Sequence, residues 1–340
     1  MAGSDEQRNG ALRGVVAVGA SAGGVEALSA LAAGLPADLP YAVLMALHLP
    51  PASPSVLPRI IDRAGPLPAV AATDGAHLQP GQITVAVPGR HLLTIGHHVR
   101  LSEGPTENGH RPAINALFRS VALAFGPQAF GVQMSGVLDD GVLGLSAIRS
   151  RGGTTLVQDP DDAAFPAMPR NALNAGVVHH RAAAADIGAL LLELADREIE
   201  EREMEPDIGM ELENRIAMGS RFDTTIDSEA LGPPSGYTCP DCNGSLMTVS
   251  ETGFRCRVGH AWSAETLLAA RDDEIDNALW IALRSLQEKA RMARKLADNV
   301  GPGRLGQRYT DLAEEAEHAA TVLGQRLAGV TPSSGGQGDG

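Results

Sequence analysis

Three short stretches of the chain carry side chains that can do nucleophilic or acid–base chemistry. The first is "VVAVGASAGGVEAL" at positions 15–28. Its Gly19, Ser21 and Gly23 have the spacing of a nucleophile elbow, in which small neighbours let a serine stand exposed on a tight strand-to-helix turn. The same letters approach a dinucleotide fingerprint, with Gly19 and Gly24 in the first and sixth places. The third place of that fingerprint lets a pyrophosphate approach the backbone, and here it holds Ser21. The ribose-binding acid expected about 20 residues further on is also missing. The next apolar run, "YAVLMALHLP", ends instead in His48, the second candidate. The third is the pair Asp139 and Asp140 in "MSGVLDDGVLG". A hydroxyl to attack, an imidazole to take its proton and a carboxylate to hold the tautomer are the parts of a serine hydrolase. Taken singly, each has a plainer account: a Gly/Ala-rich turn, a polar strand cap, an N-cap for the helix "GVLGLSAI".

All the cysteines fall in a fourth cluster. Two residues separate Cys239 from Cys242, thirteen lie between Cys242 and Cys256, and three lie between Cys256 and His260. Soft and borderline ligands on two knuckles are the pattern of a tetrahedral structural zinc; the alternative is a reduced loop with incidental thiols. Four protein ligands leave no coordination position open, so the expected zinc is structural and no cofactor is expected in catalysis.

For Ser21, His48 and the aspartates to act together, strands must deliver them to one rim. The runs "GVVAV", "YAVLMAL", "AFGVQM" and "GTTLVQD" are continuous rather than alternating in polarity. They predict strands buried on both faces, as in a parallel sheet covered by helices. The expected class is therefore α/β, with a doubly wound, mostly parallel sheet and helices on both faces. Ligands of such sheets sit beyond the carboxyl ends of the strands, where the three candidate clusters fall. Between the strands, "GQITVAVPGRHLLTIGHHVRL" alternates and turns, predicting a small hairpin insertion.

The 340 residues leave room for two domains. With 44% hydrophobic and 20% charged residues, the composition is that of a soluble globular protein. A net charge of −14 argues against nucleic acid as a partner, because phosphate contacts need clustered Lys and Arg. No apolar run approaches the roughly 20 residues of a membrane helix. The polar start "MAGSDEQRNGALRG" lacks a secretory segment, and three cysteines do not make a disulfide framework, so a cytoplasmic location is expected. Residues 1–13 are expected to be a disordered lead and 14–195 the α/β catalytic domain. Thirteen acidic against four basic residues between Glu193 and Glu229 predict an acidic linker over 196–235. The zinc knuckle is expected over 236–262. Ile275, Leu279, Ala282, Leu286, Ala290 and Ala293, then Leu305, Tyr309, Leu312, Ala316, Leu323 and Leu327, recur at helical spacing around a break at "NVGPG". They predict a helical hairpin over 263–328, with one apolar stripe per helix for core or interface, and a disordered tail over 329–340.

Residues 14–195 resemble the CheB-type chemotaxis protein-glutamate methylesterases. The resemblance rests on the blocks "VGASAGGVEAL", "LHLPPASPSVL", "VPGRHLL", "GHRPAINALFRSVA", "SGVLDDGVLGL" and "VQDPDDAAFPAMPRNAL", in the family's order. It implies Ser21 as nucleophile, His48 as general base and, as orienting acid, the aspartate directly before a glycine, Asp140. The order Ser…His…Asp differs from the Ser…Asp…His of α/β-hydrolases. Two departures fall near the expected oxyanion site. Ala22 stands where the family usually has Thr, and Gly136-Val137-Leu138 where it usually reads Gly-Met-Gly. The catalytic strand begins near Val15, so a stand-alone catalytic domain is expected, without the receiver domain many members carry.

The function this implies is hydrolysis of glutamyl methyl esters on chemoreceptor-like proteins, with glutamine deamidation open to the same chemistry. Backbone N–H groups of Ala22, Gly23, Gly136 and Val137 are expected to hold the oxyanion. A signalling partner is expected on the C-terminal hairpin. The competing expectation is a non-catalytic signalling module on the same fold, and a nucleotide-binding protein is a weaker third.

Overall fold

The computed structural model describes residues 12–195, 205–219 and 231–329. The expected lead over 1–11 and tail over 330–340 lie outside the described residues, as do 196–204 and 220–230 of the expected linker. Strand β1 (Gly14–Ala20) leads through α1 (Gly24–Gly34) into β2 (Tyr41–Leu47). Helix α2 (Leu57–Ala64), β3 (Ala69–Ala71) and β4 (Ile83–Val85) follow, then an antiparallel pair, β5 (His91–Ile95) and β6 (His98–Ser102). The chain returns through α3 (Ile114–Phe125), β7 (Ala129–Gln133), α4 (Val142–Ser150) and β8 (Thr154–Gln158). It continues with α5 (Ala167–Asn174), β9 (His180–Ala182) and α6 (Ile187–Ala195).

Seven strands form one parallel sheet in the order β3-β4-β2-β1-β7-β8-β9. Every residue of β1 and β2 is buried, because side chains alternate between two covered faces. Val16 and Val18 pack with Leu28 and Leu31 of α1, Ile61 of α2 and Ile187 of α6. Val15 and Ala17 point the other way, toward Leu117 and Phe118 of α3 and Ile148 of α4. The expected hairpin is shorter than its sequence pattern: its first run, Ile83–Val85, joins the main sheet beside β2, and only β5 and β6 pair as a hairpin. No helix among the described residues is long and apolar enough to cross a membrane.

Residues 205–219 differ from a bare linker. They form α7 (Ile208–Met218), capped by the Asp207 carboxylate, which accepts from the Met210 N–H at 2.9 Å. Its Ala217 packs with Leu93, Ala113 and Ala116, and its Ile216 with Leu231 and Met247. A four-stranded antiparallel sheet follows: β10 (Pro234–Thr238), β11 (Ser245–Thr248), β12 (Gly253–Cys256) and β13 (Ala261–Ser263). This knuckle is not set apart from the catalytic sheet, for both belong to one compact unit that runs to Leu267. The second unit, from Leu268, comprises most of α8 (Ala264–Val300) and α9 (Arg304–Gly329). Within it Ala290 and Ala293 of α8 and Ala313, Ala316 and Leu327 of α9 are buried. Arg294 grips Glu317 through hydrogen bonds of 3.0 and 2.8 Å. Ile275 of the expected stripe on α8 and Leu305 of that on α9 are exposed.

Buried charge joins the pieces of the first unit. Arg119 of α3 donates to Glu107 at 2.5 and 3.2 Å and to Glu213 of α7 at 3.2 Å. Arg255 of β12, only 1% exposed, donates to Glu107 at 3.3 Å and to the Gly259 carbonyl at 2.7 Å. Burial pushes the Glu107 carboxyl up, but the guanidiniums of Arg119 and Arg255 outweigh it and hold the pKa at about 2, against an ordinary 4.5.

Because that folded pKa lies below the unfolded one, the stabilisation is complete above about pH 4.5 and lost as pH falls through about 2. Glu107→Gln should therefore lower unfolding free energy at pH 7 by about 3 kcal/mol. Denaturant titrations from pH 7 to pH 2.5 should show the gap between variant and wild type narrowing below pH 4.5; a constant gap would contradict the assignment.

Candidate active site

The strand order places three consecutive carboxyl ends, those of β2, β1 and β7, side by side. The chain leaves β1 for β2 on one side and later fills β7 on the other, so the cleft between β1 and β7 is the topological switch point. Ser21 follows β1 directly and His48 follows β2 directly. Backbone bonds continue the ladder past the strands: His48 N–H donates to the Ala20 carbonyl at 3.2 Å, and Ser21 N–H to the Ser135 carbonyl at 2.9 Å. Both side chains are thus set by the sheet itself.

The structure brings Ser21, His48 and Asp140 into one hydrogen-bonded line. The His48 Nε2–H donates to Asp140 Oδ2 at 2.8 Å, and the lone pair this leaves on Nδ1 faces the Ser21 hydroxyl, with Oγ at 3.2 Å. Asp140 is 2% exposed. Its Oδ2 also accepts the Ile114 N–H at 2.7 Å, and its Oδ1 accepts from the Asn115 N–H and Asn108 Nδ2, each at 3.3 Å. Two of these donors are the first amides of α3, the positive end of its dipole. Burial pushes the Asp140 carboxyl up, yet the bond from His48 and the neighbouring imidazoles outweigh it and hold it below the ordinary carboxylate range. Asp139 shifts the opposite way: burial raises it despite hydrogen bonds from Ser263 and Thr266. The two adjacent carboxyls are thus shifted in opposite directions, and only Asp140 reaches the imidazole.

Four backbone amides were expected to face an oxyanion, and three of them do not meet an acceptor. Among the described residues nothing accepts from the N–H of Ala22, Gly23 or Val137. Gly136 is the exception. Its N–H is already donated to the Phe165 carbonyl at 2.9 Å, so it drops out of the donor set. Its glycine identity has another cause: a Cβ there would lie 2.0 Å from Met168 Sδ and 2.9 Å from Ser21 Cβ. Leu138, in the place where the family usually has glycine, adopts φ 62. Its carbonyl accepts from Asn171 Nδ2 at 2.8 Å, which holds the turn in that left-handed conformation.

Two further residues meet the site without having been singled out in the sequence. His110 stacks on His48 with ring centroids 3.7 Å apart and planes 13° from parallel. Asn108 reaches Asp140. Both sit on one tight turn, closed by reciprocal backbone bonds between Glu107 and His110 of 3.2 and 2.9 Å. The central Asn108 and Gly109 have φ 52 and φ 74, as a type I′ turn requires. The signal was the "NG" dipeptide within "ENGH", the strongest short-range mark of such a turn.

The cysteine cluster is also assembled. Ligand atoms of Cys239, Cys242, Cys256 and His260 all lie within 4.8 Å of one another, and the group could hold a metal ion. Cys239 Sγ is 3.7 Å and Cys256 Sγ 3.5 Å from His260 Nδ1, and Cys242 Sγ is 3.7 Å from Cys256 Sγ. A tetrahedron with bonds of about 2.3 Å to sulfur and 2.0 Å to nitrogen has edges of about 3.5–3.8 Å, which these three distances match.

Burial, reinforced by His48, lowers His110 to about 4 from an ordinary 6.5, although Asp140 and Asp241 pull it up. The stacked ring is therefore neutral at pH 7. The unfolded chain takes up this proton earlier than the folded one, so stability should fall by about 3 kcal/mol as pH drops from 6.5 through 4. His110→Phe keeps the stack without the titratable nitrogens and should flatten the stability profile between pH 6.5 and 4.5. An unchanged slope in that window would contradict a neutral His110.

Comparisons with known proteins bear on this arrangement. A family model described as "CheB methylesterase" matches residues 16–191, just over half of the chain. "Protein-glutamate methylesterase/protein-glutamine glutaminase 5" of Myxococcus xanthus is 35% identical over 185 residues, covering 53% of this chain and 53% of that protein. The protein of the same description numbered 3 in Anaeromyxobacter dehalogenans is 41% identical over 165 residues, covering 48% of each. The chain thus spans about half the length of the relatives it matches. Among solved structures, the Thermotoga maritima CheB methylesterase catalytic domain superposes with TM-score 0.51 at 25% identity, covering 53% of this chain and 98% of that one. The covered segment carries Ser21, His48 and Asp140 on the same parallel-sheet architecture, and by this match the chain belongs to the CheB methylesterase family.

Proposed function

We propose that this protein hydrolyses glutamyl methyl esters on the cytoplasmic parts of chemoreceptor-like proteins, regenerating glutamate and releasing methanol. The observation that carries the reading is the line Ser21–His48–Asp140 at the switch point of the sheet. Ser21 Oγ attacks the ester carbonyl while its proton passes to Nδ1 of His48. The imidazolium is stabilised by Asp140, while the Nε2 proton stays on the ring and is donated to the carboxylate. The oxyanion falls to the N–H groups of Ala22, Gly23 and Val137, close to the start of α1, whose dipole favours negative charge. Collapse of the tetrahedral intermediate breaks the C–O bond, the proton moves from Nδ1 to the departing oxygen, and methanol leaves an acyl-Ser21. Water then gives a proton to Nδ1 and attacks in turn, and a second collapse frees glutamate and restores the serine. The same steps on a glutamine side chain release ammonia, in keeping with the glutaminase in the relatives' names.

No cofactor takes part in these steps. The Cys239, Cys242, Cys256 and His260 cage is assigned a structural zinc, supported by its ligand types, its edge lengths and the absence of a free coordination position. On the second unit, the exposed Ile275, Trp280 and Ile281 of α8 are the residues assigned to contact with a signalling partner.

Ser21→Ala should cut methanol release from methylated receptor preparations by about a thousandfold or more, with unfolding free energy within about 0.5 kcal/mol of wild type. Asp140→Asn should cost more than Asp139→Asn, since only Asp140 touches the imidazole. Methanol release unaffected by Ser21→Ala would remove the serine from the mechanism. Metal analysis of purified protein should find one zinc per chain, and finding none would overturn the zinc assignment.

A further inference from the structure

The strand that leaves the cysteine–histidine cage runs straight to the proposed triad. His260 is followed by β13, and the Ala261 N–H donates to the Thr106 carbonyl at 3.1 Å. The Asn108 N–H donates back to the Ala261 carbonyl at 2.7 Å, and the Ser263 N–H to Asn108 Oδ1 at 2.8 Å. With its oxygen held in this way, the Asn108 amide presents Nδ2 to Asp140. The ring of Trp262 lies against Gly109, where a Cβ would come within 3.5 Å of it. The turn that carries Asn108 and His110 is therefore seated on β13 at Thr106, Asn108 and Gly109.

A second set of contacts grips the aspartate loop. Asp139 Oδ1 accepts from Ser263 Oγ at 2.6 Å and from Thr266 Oγ1 at 2.7 Å. Asn171, which holds the Leu138 carbonyl, also donates to the Glu265 carboxylate at 2.9 and 3.0 Å. Residues 261–266 thus fasten both loops that determine where the Asp140 carboxylate stands, although none of them touches Ser21 or His48.

We propose that Ser263 and Thr266 are positioning residues for the triad, and that the metal-bound cage works as a clamp on the 106–110 and 138–140 loops, making turnover depend on a metal that never meets the substrate. This rests on the esterase and zinc readings above. The clamp acts on kcat: it holds Asp140, and through it the imidazole, while the substrate's own contacts are untouched.

The test uses the full chain with p-nitrophenyl acetate as substrate and amide hydrogen exchange as a second readout. The double variant Ser263→Ala/Thr266→Val keeps every metal ligand and should lower kcat about tenfold with KM within twofold. Ser263→Thr/Thr266→Ser, which keeps the hydroxyls, should retain most of the rate. Stripping the metal with a chelator should lower kcat and speed exchange at 106–110 and 138–141 while leaving β1 and β7 protected, and added zinc should reverse both effects. Wild-type kcat in the hydroxyl-free variant, or unchanged exchange at the two loops after stripping, would overturn the clamp. Loss of protection throughout the parallel sheet would also overturn it, because the metal would then hold the whole fold. A wild-type chain without esterase activity would refute the esterase reading alone, since the exchange arm reads the clamp without turnover.

Discussion

The rest of the site depends on keeping the carboxylate of Asp140 charged inside the protein. An ionised acid out of water is costly unless donors replace its hydration. Four do so, and they come from three places: the imidazole at the end of β2, the first amides of α3, and the side chain of a turn 32 residues upstream. Each donor needs an anchor of its own. Asn115, whose amide serves Asp140, uses its Oδ1 to accept from the Gly141 and Gly144 N–H groups at 3.0 and 2.8 Å, capping α4. Helices α3 and α4 are therefore tied to each other at their N-termini, through Asp140 on one side and Asn115 on the other. Substituting the acid disturbs the meeting point of two helices as well as the tautomer of His48.

A second buried charge sets the outer boundary of the same construction. Arg255 lies in β12 at almost zero exposure, and a guanidinium cannot shed its proton to escape burial. It must be met by Glu107, and Glu107 opens the turn that carries Asn108 and His110. Arg119 on α3 and Glu213 on α7 complete the cluster. Pairs of this kind add little net stability over apolar packing, but removing one member is expensive, and they hold register. Here the register concerns where the knuckle sits on the sheet. The acidic composition of the segment before the knuckle is partly explained by this cluster: Glu213, although partly exposed, is paired with Arg119.

How much of this was legible follows the physics of each signal. The strands that became β1, β2, β7 and β8 announce themselves because a strand covered on both faces must be apolar at every position. β3 and β9, three residues each at the sheet edges, are too short and too exposed to leave a pattern. Ile83–Val85 was read into the neighbouring hairpin because an alternating run does not say which strand it will pair with. Ser21, His48 and the pair Asp139 and Asp140 stand out because strand ends are local features and chemistry restricts the residue types; the preference for Asp140 over Asp139 rests on the family resemblance, and its reach to His48 is visible only in the fold. Asn108 and His110 do not, since stacking and a single amide contact depend on a turn folding back across the rim. Gly136 has the sequence context of an oxyanion donor, and only the fold brings the Phe165 carbonyl onto its amide. The docking of the knuckle was equally invisible, because composition reports the charge of Glu213 and Arg255 without their partners.

The use of the two imidazole nitrogens follows from strand order. In the chymotrypsin arrangement Nε2 faces the serine and Nδ1 the aspartate; here the roles are exchanged. His48 leaves β2, Ser21 leaves β1 next to it, and Asp140 hangs from the loop after β7 on the far side. Neighbouring strands are about 4.8 Å apart, so the serine stands between the histidine's backbone and the acid. The nitrogen nearer the main chain meets the nearer residue, and the outer nitrogen, carried across the serine, meets the farther one. A fold with the serine in the middle strand could place Nε2 on the serine only by bringing the acid back toward β2, where β4 already occupies the other side. The tautomer, the burial of Asp140 beyond β1 and the demand for donors from α3 and the Asn108 turn are thus consequences of one ordering of three strands.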